Sequence, residues 1–439
     1  MRKLRTSTCV PRRGSWSLRR RWRGTVPPVG RTGNANVSKL VYGLDVGTTK
    51  IVAIAGRVDG RRPVEVLAMG EAPSYGLRRG VVVDREAATE SVAEAIEACG
   101  GGKLRGGPVS VGIAGSHIRS LNTEVTLLNR SRNRLVTERF LKRLHAEARG
   151  ADPDEDEEVL HVVPRSFVLD GTEGVRQPVG LAARRVTMRA HVVSGAISSI
   201  QNLLGAVEDC GVRVSRVVLE PLASAEACLS PDDRQMGTAL LDIGGGTTDI
   251  AAFLRGSLAH TAVVPIGGES FSADVAYGLK LPFEDAERLK VRYGSALSDG
   301  VDDVAPVLLD DRHHSAKFIS QILEYRAREV LEFARDSLDH ARVRNSLPGG
   351  IVLTGGGSQL EGFGQLAEEI LGMRARLAVP RRIKGDVKPV QKPQYSTAVG
   401  LLYFAAKNDD LRPKSKGAGA FDFGSIVAAV KGWFRVLPG

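Results

Sequence analysis

The sequence LDIGGGTTD, residues 241–249, has a shorter counterpart in LDVGTTK, residues 44–50. Each copy is an apolar strand, an aspartate, a glycine turn and one or two threonines before a second apolar strand. Glycine lets backbone N–H groups approach phosphate oxygens without a Cβ in the way, and threonine hydroxyls add donors. A single hairpin of this kind is usually only a turn. Two copies in the same order predict two related domains that face each other across a phosphate-binding cleft.

The aspartates at the two strand ends, Asp45 and Asp242, are the candidate metal ligands. Mg²⁺ prefers carboxylates combined with phosphate oxygens, and it often keeps water between itself and the protein. The candidate phosphate-binding residues follow each aspartate: Gly47, Thr48, Thr49 and Lys50 in the first copy, and Gly244, Gly245, Gly246, Thr247 and Thr248 in the second.

A third segment fits the same cleft. IVLTGGGSQLEG, residues 351–362, predicts a strand that ends in Gly355, Gly356 and Gly357 and enters a helix. Such a turn lets a base and ribose lie against the backbone. GGES at 267–270, with Gly267 and Gly268, and AERLK at 286–290 complete the set. The sequence contains no GxxxxGK[ST], which excludes a P-loop protein.

These segments, in this order, resemble the motifs of the actin/DnaK/sugar-kinase ATPase superfamily. LDVGTTK resembles its first phosphate motif, LDIGGGTTD its second, TGGGSQLEG its adenosine motif and LEPLASA, residues 219–225, its first connecting motif. The resemblance implies an α/β, actin-like two-domain ATPase fold that binds ATP and Mg²⁺. It implies that Glu287 and Lys290 contact ribose or adenine and that Glu220 positions the attacking water. Glu-Pro is also an ordinary way to begin a helix, so this role of Glu220 stays open. The resemblance implies a protein that binds ATP and hydrolyses it slowly at most.

Within the superfamily, residues 40–406 are similar to the FtsA family of bacterial division proteins. VGIAGSHI, residues 111–118, leads into an inserted α+β subdomain of the SHS2 type, and YSTAVGLL, residues 395–402, resembles the family's C-terminal core motif. The resemblance implies a protein that self-associates head to tail and tethers FtsZ filaments to the cytoplasmic face of the membrane. It would act at the division site with other division proteins.

The C-terminal residues 421–437, FDFGSIVAAVKGWFRVL, predict an amphipathic helix. At 100° per residue, seven apolar side chains fall within an arc of about 120°. They are Phe423, Ile426, Val427, Val430, Trp433, Phe434 and Leu437. The segment is shorter than the about 20 apolar residues that span a bilayer, but it suits a membrane surface. A helix docked on the protein's own core is the alternative, and the polar linker at 407–420 favours a tethered membrane anchor.

The net charge of +11 comes from one end of the chain. Residues 1–39 contain eleven Lys or Arg and no Asp or Glu, which accounts for the whole excess. The remaining chain is neutral overall, which argues against a nucleic-acid partner. The basic tail has no apolar signal region and is expected to be disordered. It could be an organelle-type presequence, an electrostatic arm or translated sequence upstream of the true start, and we favour the last of these or an inert tail.

The predicted organisation is therefore a basic tail at 1–39, a first actin-like domain at 40–115 and 190–237, and an inserted subdomain at 116–189. A second actin-like domain at 238–406, a linker at 407–420 and the terminal helix follow. His313 and His314 are interpreted as the polar start of a long helix rather than as a metal site.

Two other functions share these motifs. A sugar or carboxylate kinase shares the phosphate motifs, but it has no role for the insertion or for a terminal anchor. An ATP-binding protein of the PilM type, which acts in pilus assembly, shares the inserted subdomain. It has less need of a membrane helix, because its partner is itself membrane-bound. A DnaK-like chaperone is disfavoured, since no substrate-binding domain follows the ATPase core.

Overall fold

Two β-sheets of matching topology form the body of the protein. The computed structural model describes residues 39–58, 63–101, 108–150, 154–302, 306–309, 312–385 and 387–406. Its strands are β1 (Lys39–Val46), β2 (Lys50–Val58), β3 (Val64–Pro73), β4 (Leu77–Arg78), β5 (Val81–Val82), β6 (Pro108–Ile113), β7 (Ile118–Leu128), β8 (Glu157–Leu169), β9 (Thr172–Val175), β10 (Arg185–Ala196), β11 (Arg213–Leu219), β12 (Thr238–Ile243), β13 (Thr248–Leu254), β14 (Ser257–Val264), β15 (Pro306–Leu309), β16 (Arg312–Ser315), β17 (Ile351–Thr354), β18 (Ala375–Leu377) and β19 (Ile383–Gly385). Its helices are α1 (Arg85–Ala98), α2 (Glu138–Arg149), α3 (Ile197–Glu208), α4 (Glu220–Cys228), α5 (Pro231–Met236), α6 (Gly268–Leu279), α7 (Phe283–Tyr293), α8 (Ala316–His340), α9 (Phe363–Leu371) and α10 (Ser396–Ala406).

The two sheets repeat one plan. In the first, β1, β2 and β3 form an antiparallel meander, and β6 and β11 extend it in parallel on the other side of β1. In the second, β12, β13 and β14 form the meander, and β17 and β18 extend it in parallel beyond β12. The glycine turns of the two sequence repeats join β1 to β2 and β12 to β13. Both turns therefore occupy the same place in their sheets, as the repeated sequence predicts.

Two helices connect the halves. The helix α4 follows β11 of the first sheet and packs against β12, β13 and β17 of the second, while α10 packs against α4 and β1. The strand β19 pairs with β3 and becomes the sixth strand of the first sheet. The predicted end of the second domain, at residue 406, is therefore too late in the sequence. Its last part returns to the first sheet, because β3 offers an open edge to β19 and the first sheet covers the buried face of α10.

The insertion between β6 and α3 is a separate four-stranded sheet in the order β7–β10–β8–β9. The helix α2 packs on it and buries Phe140 and Leu144 against the sheet. The strand β10 runs beyond the predicted boundary at residue 189, because it pairs along its whole length with β7 and β8. Strands β7 and β8 also contact β14 of the second sheet. The insertion consequently touches both halves of the body.

The long helix α8 begins at Ala316, where the side chain of Ser315 accepts a hydrogen bond from the backbone N–H of Phe318. His313 and His314 precede that cap and lie in β16, which pairs with β15. Their interpretation as the start of the helix is therefore wrong. The serine cap determines where the helix begins, because it satisfies a backbone N–H that the first turn leaves without a partner.

Candidate functional site

The two glycine turns have the same internal hydrogen bond. The backbone N–H of Gly47 donates to the carbonyl of Lys50 at 3.1 Å, and that of Gly244 donates to the carbonyl of Thr247 at 2.9 Å. Each bond closes the turn directly after the strand that carries the aspartate. The sequence repeat is therefore also a repeat of local geometry.

The turns face each other in direct contact. A Cβ on Gly245 would collide with the side chain of Thr49, and a Cβ on Gly246 would collide with that of Thr48. Only glycine fits at these two positions, because the opposing threonines take the space that any side chain would need. The backbone of the second glycine turn therefore lies against the threonine side chains of the first.

A cavity of 1880 Å³ opens beside this contact, between the two halves. Small-molecule sites typically measure about 300–1,000 Å³, so the cavity has room for a ligand of nucleotide size. Most of the predicted site residues line it: Asp45, Gly47, Thr48, Thr49, Lys50, Glu220, Asp242, Gly244, Gly245, Gly246, Thr247, Gly268, Glu287, Lys290, Gly355, Gly356 and Gly357.

Two predicted residues, Thr248 and Gly267, do not belong to this lining. The Thr248 hydroxyl donates to the carbonyl of Ile266 at 2.8 Å, and its side chain is fully buried. Gly267 lies beneath the second turn, where a Cβ would come within 2.5 Å of the Gly245 carbonyl oxygen. The expectation that Thr248 and Gly267 face a ligand is therefore wrong, because both residues pack against the protein and do not line the cavity.

Four acidic side chains gather at the floor of the cavity: Asp45, Glu220, Asp242 and Asp249. Burial raises the pKa of Asp45 to about 7, with Lys50 opposing and Asp242 and Glu71 adding to the shift. Burial also raises the pKa values of Glu220 and Asp249, which the neighbouring carboxylates raise further. Buried carboxylates in such proximity are stabilised by a cation.

Lys50 is the cation that the protein itself places beside these carboxylates. Its Nζ lies 4.2 Å from the centroid of the Tyr395 ring, and the Tyr395 hydroxyl donates to Glu71 at 2.7 Å. Burial lowers the pKa of Lys50, while Glu71, Asp45 and Asp242 raise it. Lys392 also lines the cavity, and its charge adds to the lowering of the pKa of Lys50.

The donor set suits Mg²⁺ combined with a phosphate ligand. Within the described ranges, no three His, Cys, Asp or Glu side chains are placed to hold a metal ion by themselves. Mg²⁺ is usually bound through one or two carboxylates, with water and substrate phosphates as its remaining ligands. Asp45 and Asp242 could supply those carboxylates at the end of the two turns.

The opposite wall of the cavity comes from the start of α6, from α7 and from the third glycine turn. Lys290 Nζ donates to the Gly268 carbonyl at 2.9 Å and to Glu287 at 2.7 Å, which ties α7 to the first turn of α6. Gly355 has a φ of +86°, and a Cβ there would collide with the Asp242 carboxylate. Glycine is needed at that position both for the backbone conformation and for the space.

Several lining residues were not predicted from the sequence. Asp249 is the last residue of LDIGGGTTD, and its position opposite Asp242 in the β12–β13 pairing could have identified it. Glu71 lies on β3, and Phe283 and Tyr293 lie at the two ends of α7. Their own sequence context contains no motif, so only the fold places them at the cavity.

The fold is that of the actin-like ATPases. The PilM–PilN type IV pilus biogenesis complex superposes with a TM-score of 0.63 over 84% of this chain and 99% of its own, at 16% identity. MreB 5 of Spiroplasma citri, solved bound to AMPPNP, gives a TM-score of 0.53 over 83% of this chain and 96% of its own, at 13% identity. At these identities the likeness shows the fold alone.

Sequence comparison identifies the family within this fold class. A family model described as cell division protein FtsA matches residues 239–400, and one described as the SHS2 domain inserted in FtsA matches residues 115–194. The cell division protein FtsA of Pseudomonas aeruginosa is 41% identical over 83% of this chain and 89% of its own length. That of Escherichia coli is 32% identical over 90% and 98%. The chain belongs to the FtsA family.

The predicted terminal helix at 421–437, the linker before it and the basic tail lie outside the described residues. Among the helices that are described, none is long and apolar enough to cross a membrane.

Proposed function

We propose that the protein binds ATP with Mg²⁺ in the cavity between its two halves. The observation that carries the proposal is the pair of matching turns that face each other, each with an aspartate at its strand end. Backbone N–H groups and threonine hydroxyls of both turns would hold the phosphates, and Asp45 and Asp242 would hold the ion. Gly355, Gly356 and Gly357, with Glu287 and Lys290, would hold the nucleoside. The nucleotide in the MreB 5 structure supports this placement by analogy of fold.

Glu220 would position the attacking water in a slow hydrolysis. It begins α4 and lines the cavity, and a Cβ on Gly112 would come within 3.1 Å of its carboxylate, so Gly112 makes room for it. Its raised pKa favours the neutral form. A cation bound nearby would favour the ionised form that orients water. Hydrolysis is therefore tied to the presence of the ion.

The cellular role that we infer is that of a membrane tether in cell division. The relatives are cell division proteins, and the terminal helix pattern supplies an apolar face for the inner surface of the membrane. A single short helix attaches only weakly and reversibly. Head-to-tail self-association would join many such helices and strengthen attachment through raised effective concentration. FtsZ filaments would then be held at the division site.

A PilM-type role in pilus assembly is the second candidate, because the PilM–PilN complex shares the fold over almost the whole of its chain. The identity to that structure is 16%, against 41% to the Pseudomonas protein, so the division role is favoured. A sugar or carboxylate kinase is a weaker alternative, and phosphoryl transfer to a small metabolite would support it.

Co-sedimentation with FtsZ filaments and anionic liposomes, with and without ATP, tests the tether. Trp433→Glu places a charge on the apolar arc, so it should abolish liposome pelleting and leave ATP binding intact, as should a chain that ends at Gly419. Ser425→Glu adds the same charge outside the arc and should pellet like the wild type. If Trp433→Glu pelleted with liposomes as well as the wild type does, the hypothesis of a membrane anchor would be wrong. Failure to pellet with FtsZ, combined with binding to the cytoplasmic tail of a pilus membrane protein, would favour the second candidate.

A further inference from the structure

Three buried side chains meet where the two connecting helices reach the end of β12. The Ser224 hydroxyl, on α4, donates to Asp242 Oδ2. The Thr397 hydroxyl, on α10, donates to the same oxygen at 3.2 Å, and the two hydroxyl oxygens lie 2.8 Å apart. All three residues are buried. Two helices that are distant in sequence thus each place one hydroxyl on one carboxylate oxygen.

The neighbouring hydroxyl on α10 has a different role. Ser396 lies 2.7 Å from the Thr354 hydroxyl, and it accepts a hydrogen bond from the Cys228 thiol at 3.2 Å. It makes no hydrogen bond to Asp242 in the described part of the chain. Ser396 and Thr397 are adjacent and buried, yet only Thr397 bonds to the candidate metal ligand. Ser396 is therefore a natural control. Its replacement removes a buried hydroxyl at this crossing but removes no hydrogen bond to Asp242.

We propose that Ser224 and Thr397 are positioning residues for the magnesium–nucleotide complex, acting through the Asp242 carboxylate. The inference rests on the proposed function. Both hydroxyls engage Oδ2, which restricts rotation of the carboxylate and assigns Oδ1 to the ion or to its water shell. A carboxylate held by two donors is better organised for a cation than one that must be ordered on binding.

The arrangement makes the ion site depend on both halves. Asp242 belongs to the second sheet, whereas α10 packs against β1 of the first. The Thr397 bond can form only when these two parts are docked as they are in this structure. Ion affinity and docking of the halves are therefore coupled through one carboxylate oxygen.

The test is a titration of the full chain with a fluorescent ATP analogue over a series of Mg²⁺ concentrations and in EDTA. Ser224→Ala and Thr397→Val each remove one donor, and each should raise the Mg²⁺ concentration for half-maximal nucleotide binding about 10-fold. Thr397→Ser keeps the hydroxyl and should restore the wild-type value. Ser396→Ala should behave like the wild type. Nucleotide affinity in EDTA should be unchanged in all four variants, because the hydroxyls act through the ion.

The outcomes distinguish a failure of the proposed function from a failure of the inference about Ser224 and Thr397. A wild-type chain that binds no nucleotide would overturn the proposed function and this inference with it. A wild-type chain that binds in a Mg²⁺-dependent way, with Ser224→Ala and Thr397→Val matching Ser396→Ala, would overturn the inference alone. Weaker binding in EDTA by the same factor as in Mg²⁺ would also overturn it, since that pattern indicates a general packing defect. If Ser224→Ala does not fold, the comparison of Thr397→Val with Thr397→Ser decides.

Discussion

His191 is buried where the inserted subdomain meets the second sheet. Its two ring nitrogens lie 2.9 Å from the Asn122 amide oxygen and 2.9 Å from the Thr261 hydroxyl. Since the amide oxygen only accepts, the ring donates to Asn122 through Nδ1–H. In a neutral imidazole the other nitrogen, Nε2, then accepts from the Thr261 hydroxyl. Burial lowers the pKa of His191 to about 3, with smaller contributions from His260 and Arg165.

This buried ring predicts a specific sensitivity to acid. The folded protein keeps His191 neutral, while the unfolded chain takes up a proton below a pH of about 6.5. Stability is therefore fully present above that pH and is lost as the pH falls below it. For one such proton the loss between pH 7.5 and pH 5.5 is about 1.4 kcal/mol. Between pH 7.5 and pH 5.5, the free energy of unfolding measured in urea should therefore fall by about 1.4 kcal/mol less for His191→Gln than for the wild type.

The control is His340→Gln, because His340 is exposed near the end of α8. That variant shows the effect of replacing an exposed histidine by glutamine, to which the effect of replacing the buried His191 is compared. Other buried histidines, such as His161, contribute to both proteins equally, so the difference isolates His191. An unchanged pH dependence in His191→Gln would contradict the assignment.

At the residue scale, a sequence predicts a site residue when the chemistry of its side chain and its local motif indicate the same function. Asp45 and Asp242 stand at strand ends before glycine turns, so their type and position both indicate a phosphate and metal site. Ser224 and Thr397 lie in the motifs LEPLASA and YSTAVGLL, but neither motif indicates the carboxylate that their hydroxyls contact, and His191 lies in no motif. A serine or threonine inside a helix, or a histidine inside a strand, acquires its role only from the element packed against it.

The two helices that join the halves, α4 and α10, pack against each other where they cross. A Cβ on Gly400, in α10, would collide with the backbone of Ala223 in α4. Alanine is normally the better residue inside a helix, so glycine here indicates a requirement for space. The two backbones touch directly, which fixes the spacing of the helices.

Gly400→Ala should therefore destabilise the protein by about 2–3 kcal/mol, because the added methyl group must push the helices apart. Gly364→Ala is the matched control. Gly364 lies in α9, and a Cβ there would meet nothing within 4 Å. That change should be neutral or stabilising by up to about 1 kcal/mol. Urea unfolding of the two variants checks the prediction, and a Gly400→Ala protein as stable as Gly364→Ala would contradict the close crossing.

At the element scale, the sequence predicts the two strand–turn–strand repeats, which the structure contains as β1–β2 and β12–β13. It does not predict which sheet covers each helix. The predicted second domain includes the last helix, whereas α10 packs against β1 of the first sheet. The predicted inserted subdomain ends at residue 189, whereas β10 continues to Ala196, because its last residues still pair with β7 and β8.

At the scale of the whole molecule, the repeat of one sheet plan explains the site. Two related halves bring equivalent turns together, so each half supplies one aspartate and one set of the donors that we propose for the phosphates. The connecting helices then link these turns to the joint between the halves. The sequence predicted this plan because the repeat is visible in its motifs. It could not predict the direct contact of the turns, which depends on how the halves pack.

A crystal structure of the full chain grown with Mg²⁺ and AMPPNP would test the proposed site. We expect a nucleotide between the halves, with its phosphate oxygens about 3 Å from backbone N–H groups of both glycine turns. The ion should lie between the phosphates and the carboxylates of Asp45 and Asp242. A nucleotide that contacts only one of the two turns, or that binds elsewhere on the protein, would show that the facing turns are not the binding site.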